Sequence, residues 1–187
     1  MVTIEEEKPE ITYKIAWQKK DEKIQKDACA VWESLQTVKT PEQATKRAQY
    51  LCVVAYHGDQ LVGMSTAVVG MQKQVYANAI HFRCLVNPDY RKQGIATEMA
   101  TRALVATEEW SKKNPSKKVL AFVMCIESQT LALKCYEPVW NNKINFIGYS
   151  EQGLPLYLRW FKHATFGNID EDPNFVFYPS RPGIIGP

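Results

Sequence analysis

The stretch HFRCLVNPDYRKQGIAT, residues 81–97, decides the predicted fold. Residues 80–86 are rich in apolar and β-branched side chains, which predicts a strand. The strand ends at residues 87–89, Asn-Pro-Asp, because proline lacks the N–H that a ladder needs and Asn and Asp stabilise turns. From there the apolar period becomes helical, which predicts a helix with its inner face at Ile95, Met99, Ala103, Ala106 and Trp110.

The loop between this strand and this helix has the chemistry of a phosphate site. The first N–H groups of a helix lack intrahelical partners and lie at the positive end of the helix dipole, so a tight loop aims several donors at one point. Gly94 allows the turn, Ala96 leaves room, and Arg91 and Lys92 add positive charge. The alternative is a plain connection with two solvated cations. The loop matches neither a Walker A sequence nor the three-glycine dinucleotide fingerprint.

Residues 86–96, VNPDYRKQGIA, resemble the acyl-CoA-binding motif of the GNAT N-acetyltransferase superfamily, Arg/Gln-x-x-Gly-x-Gly/Ala after a strand ending in Val-x-Pro. A second resemblance follows, where an apolar strand over residues 119–126 precedes a short helix over residues 129–136. Gln129 stands where the family usually has Asn, and residues 137–142 intervene before the family's Gly-Phe pair. The resemblance covers residues 13–162 and is strongest over residues 80–136.

This resemblance implies an α/β fold of the mixed α+β kind, with a twisted, mostly antiparallel mixed sheet and helices on both faces. It implies an acetyl-CoA-dependent N-acetyltransferase that acts on a primary amine of a small molecule, or on an exposed protein amine, by direct attack. A non-catalytic acyl-CoA-binding module, serving as a sensor or interaction domain, is the alternative. The implied acyl-CoA contacts are Cys84, Leu85, Val86, Arg91, Lys92, Gln93, Gly94, Ile95, Ala96, Thr97 and Gln129.

Acetyl transfer also needs residues that handle protons. The amine must react unprotonated, although amines with a pKa of about 10 are mostly charged at neutral pH. His81 has a suitable pKa, and Glu127 follows the strand over residues 119–126 at the end where the family's active sites open. Either residue, or water, could serve as the base. Tyr136 matches the family's acid for the leaving thiolate, and its alternative role is that of a buried aromatic.

Composition limits the other possibilities. The chain has 187 residues, 45% of them hydrophobic, which suits one domain with a proper core. Its net charge of +3 comes from dispersed Lys and Arg residues, so no nucleic-acid partner is expected. No apolar run approaches the roughly 20 residues that span a bilayer, so no membrane partner is expected. The five cysteines have neither close pairing nor zinc-like spacing, which predicts a cytoplasmic protein without a metal.

The chain divides into a disordered leader (1–11), an acetyltransferase domain (12–163) and an extended tail rich in proline and aromatic residues (164–187). The tail is expected to pack on the domain or on a second subunit, which would make a homodimer. Strands are predicted over residues 12–17, 50–56, 61–69, 80–86, 119–126, 144–149 and 154–161, with a loose connection over 71–77. Helices are predicted over residues 21–38 and 129–136. Another is predicted to begin after the N-cap Thr40, and a long one to run from residue 95 to a stop at residues 112–115.

Overall fold

The computed structural model describes residues 10–133, 137–140 and 144–165. Its strands are β1 (Ile11–Ile15), β2 (Leu51–His57), β3 (Gln60–Gln72), β4 (Ala77–Val86), β5 (Val119–Cys125), β6 (Val139–Trp140), β7 (Ile144–Tyr149) and β8 (Pro155–Trp160). Its α-helices are α1 (Glu22–Ser34), α2 (Pro41–Ala48), α3 (Ile95–Lys113) and the single turn α4 (Gln129–Ala132).

All the described strands belong to one sheet, in the order β1-β2-β3-β4-β5-β8-β7-β6. β4 and β5 run parallel and are joined by α3, as a parallel pair requires a crossover. The other neighbouring pairs are antiparallel. The predicted mixed, mostly antiparallel sheet is therefore confirmed. Because α3 forms the crossover, this helix begins near the carboxyl end of β4.

Helices pack on both faces of the sheet, as predicted. α3 buries Met99 in the main core together with Phe82 of β4. α1 and α2 cover the opposite face, where Trp32 and Ala44 pack with Met64 of β3. Each large apolar side chain buried in this way contributes about 1.5–3 kcal/mol relative to leaving it exposed.

The face that carries α1 and α2 is covered only in part. Their core cluster takes in residues of β2 and β3. Farther along the sheet, Val123, Leu156 and Leu158 of β5 and β8 form a separate cluster to which no described helix contributes. The sheet therefore presents the floor of a cleft beside α2.

The β3–β4 hairpin is longer than the sequence suggested. Pairing continues from Val69 opposite Ile80 to Gln72 opposite Ala77, so the loose connection predicted over residues 71–77 is wrong. The ladder satisfies backbone N–H and C=O groups there, even though Met71 keeps 56% of its surface exposed. The other predicted strands lie within two residues of the observed bounds, and β6 was not predicted.

The helix predictions also need correction at their ends. α1 stops at Ser34 rather than residue 38, because Gln36 adopts a φ of 51° and the Thr37 N–H donates to the Trp32 carbonyl oxygen. Thr40 caps α2 as predicted, since its Oγ1 accepts from the Gln43 N–H at 3.3 Å. The predicted leader, the tail and the end of the helix over 129–136 fall mainly on residues 1–9, 166–187 and 134–136, which lie outside the described residues.

Candidate active site

The parallel strands β4 and β5 separate before β4 ends. Their pairing stops at Phe82 and Met124, whereas β4 remains paired with β3 as far as Val86. Among the described residues, no strand pairs with the β5 side of β4 after Phe82. The last four residues of β4 therefore offer an open edge of backbone groups.

Two backbone donors of β4 point into this opening. The Asn87 N–H donates to the Val62 carbonyl oxygen of β3 at 2.8 Å. Successive residues of a strand direct their N–H groups to alternate sides, and the β3–β4 register is unbroken here. The N–H groups of Cys84 and Val86 therefore face away from β3 and into the opening.

The loop after β4 brings the start of α3 to the same end of the sheet. Gly94 is the N-cap of α3 and has a φ of 79°, in the left-handed region that favours glycine. A Cβ placed on Gly94 would have no described atom within 4 Å, so open space faces this position. No described side chain caps the helix, which leaves the first-turn N–H groups available to an anion. The Arg91 Nε donates to the Val86 carbonyl oxygen at 3.3 Å and ties the loop to the strand.

A buttress that the sequence did not reveal supports this loop from the β2–β3 hairpin. Tyr90 immediately precedes the loop, and its hydroxyl lies 2.9 Å from His57 Nδ1 and 3.3 Å from Gln60 Oε1. The His57 and Tyr90 rings also pack with centroids 5.3 Å apart. The three residues come from segments about 30 positions apart along the chain, so no local pattern could have joined them.

The cleft beside α2 has a volume of about 940 Å³ and reaches the separation of β4 and β5. Its floor follows the register of the sheet. Val68 of β3, His81 of β4 and Val123 of β5 lie side by side in one row. Arg83 and Cys125 line the cleft on either side of the opening. A molecule in this cleft would thus approach the open edge of β4 from the face opposite α3.

His81 lies in the cleft one row before the opening. Burial is the main cause that lowers the pKa of its imidazole from the ordinary 6.5, and the neighbouring Arg83 charge adds to it, while a hydrogen bond to the Gly70 backbone acts in the other direction. The ring lies so close to Gly70 that a Cβ there would stand 3.2 Å from the His81 Cδ2. The neutral imidazole, the form that can accept a proton, is favoured at neutral pH.

Glu127 also reaches this region, but in an ion pair. Its Oε1 lies 3.0 Å from Arg83 Nε, so the pair bridges the opening between β4 and the end of β5. Both side chains keep more than half of their surface exposed, at 61% for Arg83 and 53% for Glu127. Sequence reasoning considered His81 and Glu127 separately, whereas the structure brings them together through Arg83.

Two cysteines flank the same opening. Desolvation, followed by the Glu127 charge, raises the pKa of the Cys84 thiol to about 11, although the residue as a whole is exposed. The pKa of the Cys125 thiol is also raised, mainly by desolvation. Both thiols are protonated at neutral pH, and a thiol is a much weaker nucleophile than a thiolate.

Two predicted site residues fall wholly or partly outside what the structure describes. Tyr136 lies outside the described residues, and of Gln129 only the backbone, in α4, is described. Within the described ranges, no three His, Cys, Asp or Glu side chains group as metal ligands would. None of the described helices combines the length and apolarity that crossing a membrane requires.

Comparison with known proteins gave a family match and solved structures of similar fold. The model of the acetyltransferase (GNAT) family matches residues 11–138. A sequence search of curated proteins gave no match. Among solved structures, an N-acetyltransferase from Staphylococcus aureus is 15% identical, with a TM-score of 0.51 over 82% of this chain and 99% of that one.

Two further solved structures share the fold at low identity. A GNAT family N-acetyltransferase from Escherichia coli, in complex with CoA, is 11% identical with a TM-score of 0.51, over 81% of both chains. A mutant of the AtaT toxin, bound to the C-terminus of the antitoxin AtaR, is 13% identical with a TM-score of 0.52, over 81% of this chain and 94% of that one. The family match spans more than half of the sequence and includes the open edge of β4 and the Gly94 loop. The chain belongs to the GNAT acetyltransferase family.

Proposed function

We propose that this protein is an N-acetyltransferase that transfers an acetyl group from acetyl-CoA to a primary amine by direct attack. The observation that carries the proposal is the open edge of β4, which leads to the start of α3, where no described side chain caps the first-turn N–H groups. Donors spread along an edge suit an extended amide chain, and donors gathered at a helix start suit phosphates. Acetyl-CoA has both parts and supplies the activated acetyl group.

The residues proposed to hold acetyl-CoA fall into two groups. Residues 84–86 would pair with the amide chain, and the N–H groups of Cys84 and Val86 are its donors. One of these N–H groups would also meet the thioester carbonyl oxygen, where negative charge develops during attack. Residues 91–97 would take the pyrophosphate on the backbone, with Arg91 and Lys92 adding charge. Gly94 fits this role because the space in front of it is open.

His81 is our choice for the base. It lines the cleft, whereas Glu127 is engaged by Arg83 and is not among the lining residues. The imidazole would take a proton from the incoming amine, the new C–N bond would form, and the C–S bond would break. Burial favours the neutral imidazole, which has one unprotonated ring nitrogen, and this nitrogen would accept the proton.

Two further assignments complete the proposal. Tyr136 would donate its phenolic proton to the leaving thiolate, an assignment that rests on the family resemblance alone. The protonated state of the Cys84 and Cys125 thiols favours direct attack over a cysteine-bound acetyl group. We assign the reaction to the cytoplasm, because the described Cys29, Cys52, Cys84 and Cys125 are all free thiols.

The test measures CoA release from acetyl-CoA with a panel of primary amines, alongside the melting temperature with and without acetyl-CoA. We expect both an amine-dependent release of CoA and a rise in melting temperature. A melting shift without release for any amine would favour a non-catalytic acyl-CoA-binding module. Absence of both at millimolar acetyl-CoA would contradict any acyl-CoA function.

A further inference from the structure

The cleft that leads to His81 is strongly basic. Of the described residues that line it, one is acidic, Glu151. The basic ones are Lys39, Lys46, Arg47, Lys73 and Arg83. The whole chain carries a net charge of only +3, so positive charge is concentrated in this cleft. A cleft lined by one sign of charge attracts ligands of the opposite sign.

The basic residues divide into engaged and unengaged groups. Lys73 pairs with Glu151 at 3.2 Å, and Arg83 pairs with Glu127 at 3.0 Å. Lys39 and Lys46, beside and on α2, form no ion pair with any described residue. Arg47 of α2 lies over the Trp32 ring, 5.5 Å from its centroid, which leaves its charge without an acidic partner among the described residues. The unpaired positive charge is thus on the α2 side of the cleft.

Helix electrostatics account for only part of this charge. Lys46 and Arg47 belong to the last turn of α2, where cations stabilise the carbonyl end of the helix dipole. Lys39 comes just before the N-cap Thr40, at the end of the helix where a cation is unfavourable. Its backbone N–H donates to the Gln43 side chain at 3.0 Å, which fixes this turn beside the cleft. The helix dipole therefore does not account for the positive charge of Lys39 at this edge of the cleft.

The surface between His81 and this basic wall is apolar and exposed. Val68 lies beside His81 in the sheet register and is 40% exposed, and Tyr50, before β2, is 41% exposed. Both line the cleft. Neighbouring strands lie about 4.8 Å apart. The α2 side of the cleft, one or two strands away, is therefore roughly 5–10 Å from His81. The cleft volume of about 940 Å³ is within the range of small-molecule sites.

We propose that the acceptor is a small primary amine that carries an anionic group, a carboxylate or a phosphate, at the far end of an apolar segment. The amine lies at His81, the apolar segment over Val68 and Tyr50, and the anion against Lys39, Lys46 and Arg47. This inference rests on the acetyl transfer proposed above and names the substrate class for it. Nothing else in the reaction changes, since the new bond is the same amide.

The experiment compares amines that share one six-carbon chain and differ at the far end. Aminohexanoate and aminohexyl phosphate carry an anion, aminohexanol is neutral and diaminohexane carries a second cation. We expect kcat/KM to be at least about tenfold higher for one or both anionic amines than for aminohexanol, and lowest for diaminohexane, because several exposed pairs of modest strength add together. The two anionic amines distinguish a carboxylate from a phosphate. The preference should shrink as salt rises, because the Debye length falls from about 30 Å at 0.01 M to about 8 Å at 0.15 M.

A matched pair of variants assigns the effect to the α2 side. Lys39→Gln with Lys46→Gln should lower the ratio of kcat/KM between aminohexanoate and aminohexanol by about 3- to 10-fold. Lys112→Gln with Lys113→Gln removes the same charge from the end of α3, outside the cleft, and should leave that ratio unchanged. An equal loss in both variants would reduce the effect to net charge and would overturn the assignment.

The outcomes separate this inference from the proposed function. Acetylation of all four amines at similar rates, or a preference for diaminohexane, refutes the anionic acceptor and leaves the transferase intact. If acetyl-CoA raises the melting temperature but no amine reacts, calorimetry measures the binding of the amines to the CoA-saturated protein instead. Equal affinities for aminohexanoate and aminohexanol would then refute the inference. If acetyl-CoA neither raises the melting temperature nor is consumed, the proposed function fails and the inference fails with it.

Discussion

The Gly94 loop and the cleft beside α2 lie at the same opening between β4 and β5, but the chain builds them in opposite ways. The loop is contiguous, since the strand, the turn and the start of α3 occur within residues 81–97. The cleft is lined by residues of the α1–α2 connection, α2, the β3–β4 hairpin, β5, the β7–β8 turn and β8, which lie between positions 37 and 156. The contiguous half has a sequence signature that a whole family shares. The assembled half can vary residue by residue, and it is the half that would select the acceptor.

Gly94→Val should have the largest effect, because it changes the Gly94 loop and leaves the cleft beside α2 intact. A β-branched residue at a φ of 79° costs about 1–2 kcal/mol of stability, and its side chain would occupy the space proposed for the pyrophosphate. Gly153→Val is the control, because Gly153 has a φ of 75° and equally open surroundings in the β7–β8 turn. Both variants should melt lower than the parent protein. Only Gly94→Val should lose the stabilisation by acetyl-CoA, which amounts to about 2.7 kcal/mol at 100 times Kd.

A loop that merely connects β4 to α3 would give a different result. Gly94→Val would then keep the full acetyl-CoA-induced shift in melting temperature, as Gly153→Val does. That outcome would remove the phosphate site from the account.

Tyr136→Phe tests the chemistry at the cofactor side. The substitution keeps the ring, so acetyl-CoA affinity should hardly change, while loss of a general acid commonly lowers the rate by ~100- to 10,000-fold. We expect single-turnover rates to fall by at least the lower part of that range. Tyr149→Phe, at an exposed residue of β7, is the control for the loss of a hydroxyl group. Rates for Tyr136→Phe equal to the parent would make Tyr136 a packing residue.

His81→Gln and Glu127→Gln test which residue of the cleft is the base. We expect ~100-fold loss of kcat/KM for His81→Gln. Glu127→Gln should cost less than about fivefold, since an exposed ion pair is worth about 0–1 kcal/mol. A protonated imidazole cannot accept a proton, so the His81-dependent rate falls as pH drops through a pKa below 6.5. This acid limb should be absent from the His81→Gln profile, and its persistence there, or a larger loss in Glu127→Gln, would transfer the role to another group.

Tyr90→Phe should have the smallest effect, because it weakens the support of the loop rather than the loop itself. The variant loses hydroxyl contacts to His57 and Gln60, and such hydrogen bonds are worth about 0.5–1.5 kcal/mol each. We expect the KM for acetyl-CoA to rise by about 2- to 10-fold while kcat remains near that of the parent. A drop in kcat at unchanged KM would show that the Tyr90 contacts affect the chemical step and not the position of the loop.

The sequence predicted the contiguous features well, for a physical reason. Gly94 at a left-handed φ, the proline after β4 and a helix from Ile95 are local preferences of the backbone, and the structure has all of them. The predicted inner face of this helix is confirmed at Ile95, Met99 and Ala103 but is wrong beyond them, since α3 buries Thr107 and Ser111, and Trp110 packs on the core only partly buried. The β3–β4 hairpin was misjudged because ladder pairing between strands outweighed the local composition of residues 71–77.

Features that depend on the packing of distant segments could not be predicted from the sequence. The ion pair of Arg83 and Glu127 joins positions 44 residues apart. The lowered pKa of His81 comes first from burial, which a sequence does not specify. The position of Lys39 in the cleft depends on where α2 packs against the sheet, and no motif in residues 37–50 indicates it.

Amide hydrogen exchange along β4 tests the central claim most directly, because the claim is that the edge of this strand binds acetyl-CoA. The N–H groups of Arg83 and Leu85 face β3, and those of Cys84 and Val86 face the opening. We predict that Arg83 and Leu85 exchange slowly with or without acetyl-CoA. Cys84 and Val86 should exchange quickly in the free protein and become protected by saturating acetyl-CoA. Unchanged exchange at Cys84 and Val86 under saturating acetyl-CoA would contradict the account.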